Sequence, residues 1–244
     1  MKIRNPHSRF DINTKKTDRV LEVGGGHNPH PRSNVVVDKY ADDNTHRSGD
    51  IKVLRNQEFI SADGEHLPFE DKSFDYVICN HVLEHVDDPH AFLQEQFRVA
   101  KRGYIEVPSL LGEHLYPKKS HRWVLLEIDN KLVMVDKANI SFPQQFDFGE
   151  LFQAYLPKNS IGYKIMERTH ANLHTVRIEW EGSFDYIINP QEEELLKYFR
   201  EPWSEHMVYQ HFPQRSMGAE LIAAGRAFGD ICRSIVKSKI LKRN

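Results

Sequence analysis

The first hundred residues are patterned as short, nearly continuous apolar runs separated by polar turns. Val20-Leu21-Glu22-Val23 leads into Gly24-Gly25-Gly26, and Val35-Val36-Val37 ends in Asp38. Residues 59–63 form a third run closed by Gly64, and residues 74–79 a fourth, entered through Glu70-Asp71-Lys72-Ser73. Runs of this kind suit strands buried on both faces of a parallel sheet. Further on, Leu93, Phe97 and Ala100 repeat at helical spacing. Asp88 can cap that helix, Pro89 suits its first position, and Lys101, Arg102 and Gly103 read as its end. A fifth strand follows at 104–107. Strands alternating with helical or loop crossovers predict an α/β fold with a doubly wound, mostly parallel, Rossmann-like sheet.

Beyond Pro108 the pattern changes. Residues 123–128 and 132–135 flank Asp129-Asn130, a favourable hairpin turn, so a β-hairpin insertion is expected after strand five. Residues 141–155 read as a loop entering a short helix. Val176, Ile178 and Trp180 alternate with charged residues, and Glu181-Gly182 turns the chain into 183–188, predicting an antiparallel edge hairpin. Asn189-Pro190 with Glu192 to Glu194 starts another helix. Residues 219–240 carry Leu221, Ala224, Phe228, Ile231 and Ile235 on one helical stripe, an amphipathic closing helix. The expected organisation is a single domain over 1–244. Its core covers about 18–108, the loop and hairpin insertion about 109–150, and C-terminal strands and helices about 151–244.

The 244 residues suffice for one well-cored domain. A formal net charge of -2 gives no global field to recruit nucleic acid or anionic membrane, so neither is expected as a partner. Basic residues between 233 and 243 read as a solvated helix end. The two cysteines, Cys79 and Cys232, make no disulfide framework or zinc pattern, which fits a reducing cytosol. With no long apolar run and no signal-peptide core at 1–6, a cytoplasmic protein is expected.

Glycines at a strand's carboxyl end let backbone approach a ligand closely, and an acid ending the next strand can accept bonds from ribose hydroxyls. That pair alone indicates an adenosine-containing cofactor. Four features in order narrow it: Glu22 to Gly26, Asp38, Asp63-Gly64, and Asn80-His81-Val82-Leu83-Glu84-His85 at the end of strand four. This succession, spanning about 20–109, resembles the class I S-adenosylmethionine-dependent methyltransferases, specifically the type 11 group acting on small molecules.

The resemblance implies that S-adenosyl-L-methionine is the cofactor and assigns its contacts. Gly24 and Gly26 would lie beneath the methionine part, with Gly25 between them in the cofactor loop or only easing its turn, and Glu22 would help hold the amino group. Asp38 would take both ribose hydroxyls, Asp63 the adenine amino group with the Gly64 amide near the ring, and Asn80 would face the methionine near the methyl. One departure stands out. The link His27-Asn28-Pro29-His30-Pro31-Arg32-Ser33-Asn34 is too short and proline-rich for a full crossover helix. His27 and Asn28, with Arg32, are therefore candidate cofactor contacts in place of a helix N-terminus. A nicotinamide fingerprint fails because Pro29 stands where its third glycine is needed.

His81-Val82-Leu83-Glu84-His85 also matches His-x-x-Glu-His, the inverted zinc-peptidase pattern. On a helix, His81 and His85 would share a face with Glu84 as base. The segment instead follows directly from an apolar strand, and no metal is expected. The loop after strand five, with Glu113, His114, Tyr116, Lys118, Lys119, His121, Arg122 and Trp123, would cover the cofactor and suits a polar acceptor. Trp123 is expected to pack as the first inward residue of the hairpin. A hydroxyl acceptor needs a base, and imidazole suits neutral pH. Among His81, His85, His114 and His121, His81 ranks first and His121 second, with His85 read as structural. The reading is methyl transfer to a small-molecule acceptor, such as a hydroxylated or sugar-like metabolite. The competing class is a non-enzymatic protein that binds the same cofactor. Oligomeric state is not legible.

Overall fold

The apolar runs pair side by side. The computed structural model describes residues 1–40, 49–143 and 146–241. Its strands are β1 (Lys2–Arg4), β2 (Val20–Val23), β3 (Val35–Asp38), β4 (Glu58–Ser61), β5 (Phe74–Asn80), β6 (Ala100–Pro108), β7 (Trp123–Ile128), β8 (Lys131–Asp136), β9 (Thr175–Glu181) and β10 (Tyr186–Ile188). The helices are α1 (Pro89–Val99), α2 (Leu110–Leu115), α3 (Leu156–Asn159), α4 (Ile161–Thr169), α5 (Glu193–Arg200), α6 (Glu205–His211) and α7 (Met217–Leu241). The larger sheet has the order β1-β9-β6-β5-β2-β3-β4. β4, β3, β2, β5 and β6 are parallel, while β9 runs antiparallel to β6 and β1 antiparallel to β9. The fold is therefore mixed α/β with a mostly parallel central sheet. Strand order reverses between β2 and β5, where α/β sheets open a crevice at their carboxyl ends.

The two faces are covered differently. On one, Phe92, Leu93 and Phe97 of α1 pack with Leu21, Val37, Val77 and Ile105, and with Trp123, Leu125, Leu132 and Met134 of the β7–β8 hairpin. On the other, Val20, Tyr76, Ile78 and Tyr104 pack against Ile12 of the N-terminal segment. Tyr76 hydroxyl donates to buried Glu179 at 2.6 Å, and Arg102 pairs with Asp18 at 2.8 Å, tying that segment down.

Helix α1 begins as expected, with the Asp88 carboxylate accepting from the His90 and Ala91 amides and Pro89 in the first turn. Its end differs. The helix stops at Val99, and Lys101, Arg102 and Gly103 already lie in β6. Gly103 is an access point rather than a stop, since a Cβ there would sit 2.5 Å from Trp180 Cζ2.

The hairpin β7–β8 forms around Asp129 and Asn130, whose φ angles are 50° and 62°, as a two-residue primed turn requires. The second expected hairpin does not form. After β9 the chain leaves the large sheet, and β10 pairs in parallel with β8 in a three-stranded sheet ordered β10-β8-β7. Phe184 and Tyr186 are drawn onto Phe97, which outcompetes local pairing with β9. A π-type turn at Glu150–Tyr155 leads into α3. In α7, Ala227 and Ile231 are buried, but Leu221 and Phe228 face solvent, so only part of the expected apolar stripe packs. No helix among the described residues is long and apolar enough to cross a membrane.

Candidate active site

Strand register sets the site. Val23 pairs with Val37 and with Cys79, so the next residues, Gly24, Asp38 and Asn80, stand level at the strand ends; Asn80 in turn pairs with Glu106. They open on a cavity of about 840 Å³ whose lining includes Gly24 to Asn28, Asp38, Asp63, Gly64, Asn80, His81 and His121. That volume suits a small-molecule or cofactor site. With the exception of Arg32, the cofactor contacts expected from sequence, from Glu22 to Asn80, reach its lining, as do both candidate catalytic histidines. The Arg32 guanidinium donates to the Lys15 carbonyl instead.

The glycine turn is tight for a physical reason. Gly24 has φ 73° and donates its amide to Val37 carbonyl at 2.7 Å, and a Cβ on it would lie 2.1 Å from Val82 Cγ2. The link from 24 to 34 holds no helix, as its prolines dictate. Glu22 substitutes for that helix. Its buried Oε2 accepts from the His30 amide at 2.6 Å and the Ser33 hydroxyl at 2.7 Å. Burial pushes the Glu22 pKa up, while the Ser33 and His30 bonds oppose the shift. Burial also drives the His30 pKa down to about 4, helped by the charges of Arg9 and Arg32.

Asp38 Oδ1 accepts from the Tyr40 amide at 3.0 Å. Asp63 is held by Lys39, with Nζ–Oδ2 at 2.7 Å; burial opposes its ionised form, but Lys39 outweighs it and lowers its pKa. Asn80 Oδ1 is buried without a hydrogen-bond partner among the described residues.

His81, with φ 56°, sits between two carboxylates: Nδ1 is 3.2 Å from Glu84 Oε1 and Nε2 3.7 Å from Glu106 Oε1. Burial lowers the pKa of its imidazole, but Glu106 and Glu84 override that and raise it to about 10. The ring keeps 42% of its side-chain surface open to the cavity, so solvent softens the shift without reversing its direction. A protonated His81 binds anions or donates hydrogen bonds rather than abstracting a proton. Glu106 is correspondingly acidic: burial opposes ionisation, yet His81 and Arg177 bring its pKa down to about 2. His121 Nδ1 lies 2.6 Å from Glu113 Oε2, and Glu113 also holds Lys137 at 2.5 Å.

Residues 34–105 match the family model described as "Methyltransferase domain", type 11. Over that stretch the chain is similar to a methyltransferase domain. The match begins at Asn34, past the glycine turn and its abbreviated crossover, where the chain departs most from a helical link. An uncharacterized protein of Methanocaldococcus jannaschii is 39% identical over 75 residues, 28% of this chain and 37% of that protein. A malonyl-[acyl-carrier protein] O-methyltransferase of Marinomonas is 28% identical over 125 residues, 48% of this chain and 46% of the relative. The chain thus spans less than half the length of either. A solved Thermotoga maritima protein, a possible histamine N-methyltransferase, aligns with TM-score 0.31 at 27% identity, covering 38% of this chain and 44% of that one.

The fold brings residues to the cavity that sequence reasoning passed over. Lys39 pairs with Asp63, and Arg177 pairs with Glu106 at 3.2 Å. His174 Nδ1 meets the hydroxyl of Tyr116, a residue of the expected covering loop, at 2.9 Å, with Tyr163 and Glu167 nearby in the lining. Arg177 and Glu106 are alternating positions in two strands, and only the β6–β9 register makes them neighbours. Of the loop after strand five, Tyr116, Lys118 and His121 line the cavity, whereas His114 turns away onto Phe142. Trp123 packs inward and donates Nε1–H to Val86 carbonyl at 2.8 Å, as its hairpin position implies. His85 is not in a helix: α1 begins only at Pro89, so His81 and His85 cannot share a helical face as the peptidase pattern needs. His85 lines the cavity instead of filling a structural role in a helix.

Proposed function

We propose that the protein is an S-adenosylmethionine-dependent methyltransferase acting on a small polar molecule. The observation that carries this reading is Asp38, level with Gly24 and Asn80 at the carboxyl ends of adjoining parallel strands and opening on the cavity. A carboxylate offers two acceptor oxygens to a vicinal diol. The orphaned Asn80 Oδ1, a buried acceptor at the same level, fits an ammonium or hydroxyl donor supplied by a ligand. Asp38 and Asn80 therefore hold the ribose and methionine parts, and Gly24 to Asn28 line the path between them. Asp63 receives the adenine amino group beside Lys39. Glu22 lines the cavity and braces the turn through its Oε2.

The bound cofactor supplies an electrophilic methyl, so the chain must mainly place a nucleophile in line and exclude water. His81, held as imidazolium by Glu106 and Glu84, orients an electron-rich acceptor group. His121, whose Nδ1–H is held by Glu113, presents Nε2 as the remaining candidate base. Calorimetry with S-adenosylhomocysteine tests the reading, followed by an acceptor panel scored for its release. Absence of binding sinks the proposal. Binding with no release across hydroxyl, amine and carbon acceptors favours a regulatory cofactor-binding protein.

A further inference from the structure

Glu84, His85 and His121 come together at the cavity wall although the last two stand 36 positions apart in the chain. One ligand atom from each lies within 4.8 Å of the others. The His85 and His121 rings meet edge to face with centroids 4.7 Å apart. Main chain fixes this meeting, since the Arg122 and Trp123 amides both donate to Glu84 carbonyl, at 2.9 and 3.2 Å.

The proton positions on both rings follow from their partners. His121 Nδ1 faces Glu113 Oε2 at 2.6 Å, and His85 Nδ1 faces Ser120 carbonyl at 2.9 Å. Both partners only accept, so each Nδ1 carries the hydrogen, and Nε2 is the ring atom that would serve as the ligand. His121 Nε2 lies 4.0 Å from Glu84 Oε1. Metal-bound histidines characteristically donate their other ring N–H to a carboxylate or carbonyl, which orients the ring and raises its basicity. Glu84 completes the set. Its side chain is 0% exposed, and Oε2 is buried with no hydrogen-bond partner among the described residues. A buried carboxylate with one oxygen unsatisfied, grouped with two imidazoles, calls for a cation.

We propose that Glu84, His85 and His121 bind a divalent transition metal, zinc by the chemistry of the donors, with its open position facing the cavity. Two imidazoles and one carboxylate suit zinc and exclude magnesium or calcium, which take oxygen ligands. Zinc bonds of about 2.0–2.2 Å bring tetrahedral ligands to roughly 3.4 Å of one another, so the three donors need to close by under about 1.5 Å. This set shares only Glu84 and His85 with the His-x-x-Glu-His pattern. His81 stays outside it and donates to Glu84 Oε1. The role of the metal rests on the methyltransferase reading, with His121 Nε2 then a ligand in place of a base: an acceptor oxygen bound at the open position is oriented toward the cofactor and made more acidic.

The test uses the full chain stripped with a chelator and titrated with Zn²⁺ alone against a competing chromophoric chelator. One ion per chain is expected. His121→Gln should weaken binding at least tenfold, and Glu113→Gln, which touches no metal, about 10- to 100-fold through His121 orientation. Cobalt(II) loading should give the visible bands of a low-coordinate site, abolished in His121→Gln. Should that variant not fold, as judged by circular dichroism, His85→Asn carries the same test. Sub-stoichiometric zinc, or equal affinity in the folded variants, overturns the site. S-adenosylhomocysteine calorimetry on the metal-free chain separates the two readings. Zinc binding without nucleoside binding keeps the site and removes its methyl-transfer role, and the converse keeps the methyltransferase and removes the metal.

Discussion

Gly24→Ala tests whether the glycine turn is dictated by packing as well as by backbone. At φ 73° an L-residue is in the left-handed region, which costs about 1–2 kcal/mol. The new Cβ would also lie 2.1 Å from Val82 Cγ2, against a contact optimum of about 3.5–4.0 Å between carbons. Val82 must move by more than 1 Å or change rotamer, an overpacking cost of about 1–3 kcal/mol. The single variant should therefore lose roughly 2–5 kcal/mol in urea denaturation. Val82→Ala alone removes two partly buried methyls for about 1–2 kcal/mol. In the double variant the clash disappears and only the dihedral cost and the lost methyls remain. The cycle should accordingly show a favourable coupling of about 1–3 kcal/mol. Losses that add to within about 0.5 kcal/mol would show that Val82 does not press on the turn, and the packing argument would fail.

Asp38→Ala should weaken S-adenosylhomocysteine binding at least tenfold with the melting temperature little changed, since each charge-assisted bond contributes about 1.5–3 kcal/mol; unchanged affinity in calorimetry refutes the ribose assignment. For His30 the folded pKa, about 4, lies below the ordinary 6.5, so the unfolded chain takes up the proton first. Its contribution is complete above pH 6.5 and is lost as pH falls toward 4, up to roughly 3 kcal/mol. His30→Gln should flatten the denaturation profile across that window, and an unaltered profile counts against a buried neutral ring. Gly103→Ala should destabilise by roughly 1–3 kcal/mol by pushing Trp180 off β6. A red or blue shift of tryptophan emission should accompany it, and wild-type stability would deny the close approach.

Local pattern carried much of the site. The apolar runs, glycine turn, Asp38, Asp63, Asn80 and the α1 cap were legible because each is decided by residues within a few positions of one another. The absence of a helix at 27–34 was legible too, because proline and length forbid it whatever packs nearby. Errors arose where distant residues compete with local preference. Gly103 resembles a helix stop, yet Trp180 of β9 claims the space above it. Residues 183–188 resemble a hairpin arm, yet Phe97 and β8 draw them away.

What the sequence determined by itself is thus the strand grammar and the row of polar groups at the strand ends, since side-chain periodicity and turn chemistry are short-range. Tertiary structure alone decided the ionisation and partners of those groups. His81 reads as a neutral base from its type, but Glu84 and Glu106 converge on it and keep its proton. Glu22 lines the cavity, and the folded link also gives its Oε2 the His30 amide and the Ser33 hydroxyl. His121 meets Glu84 and His85 only because the amides entering β7 bond Glu84 carbonyl. Electrostatics in a desolvated cavity depends on distances of a few ångströms between groups far apart in the chain, and only folding fixes those distances.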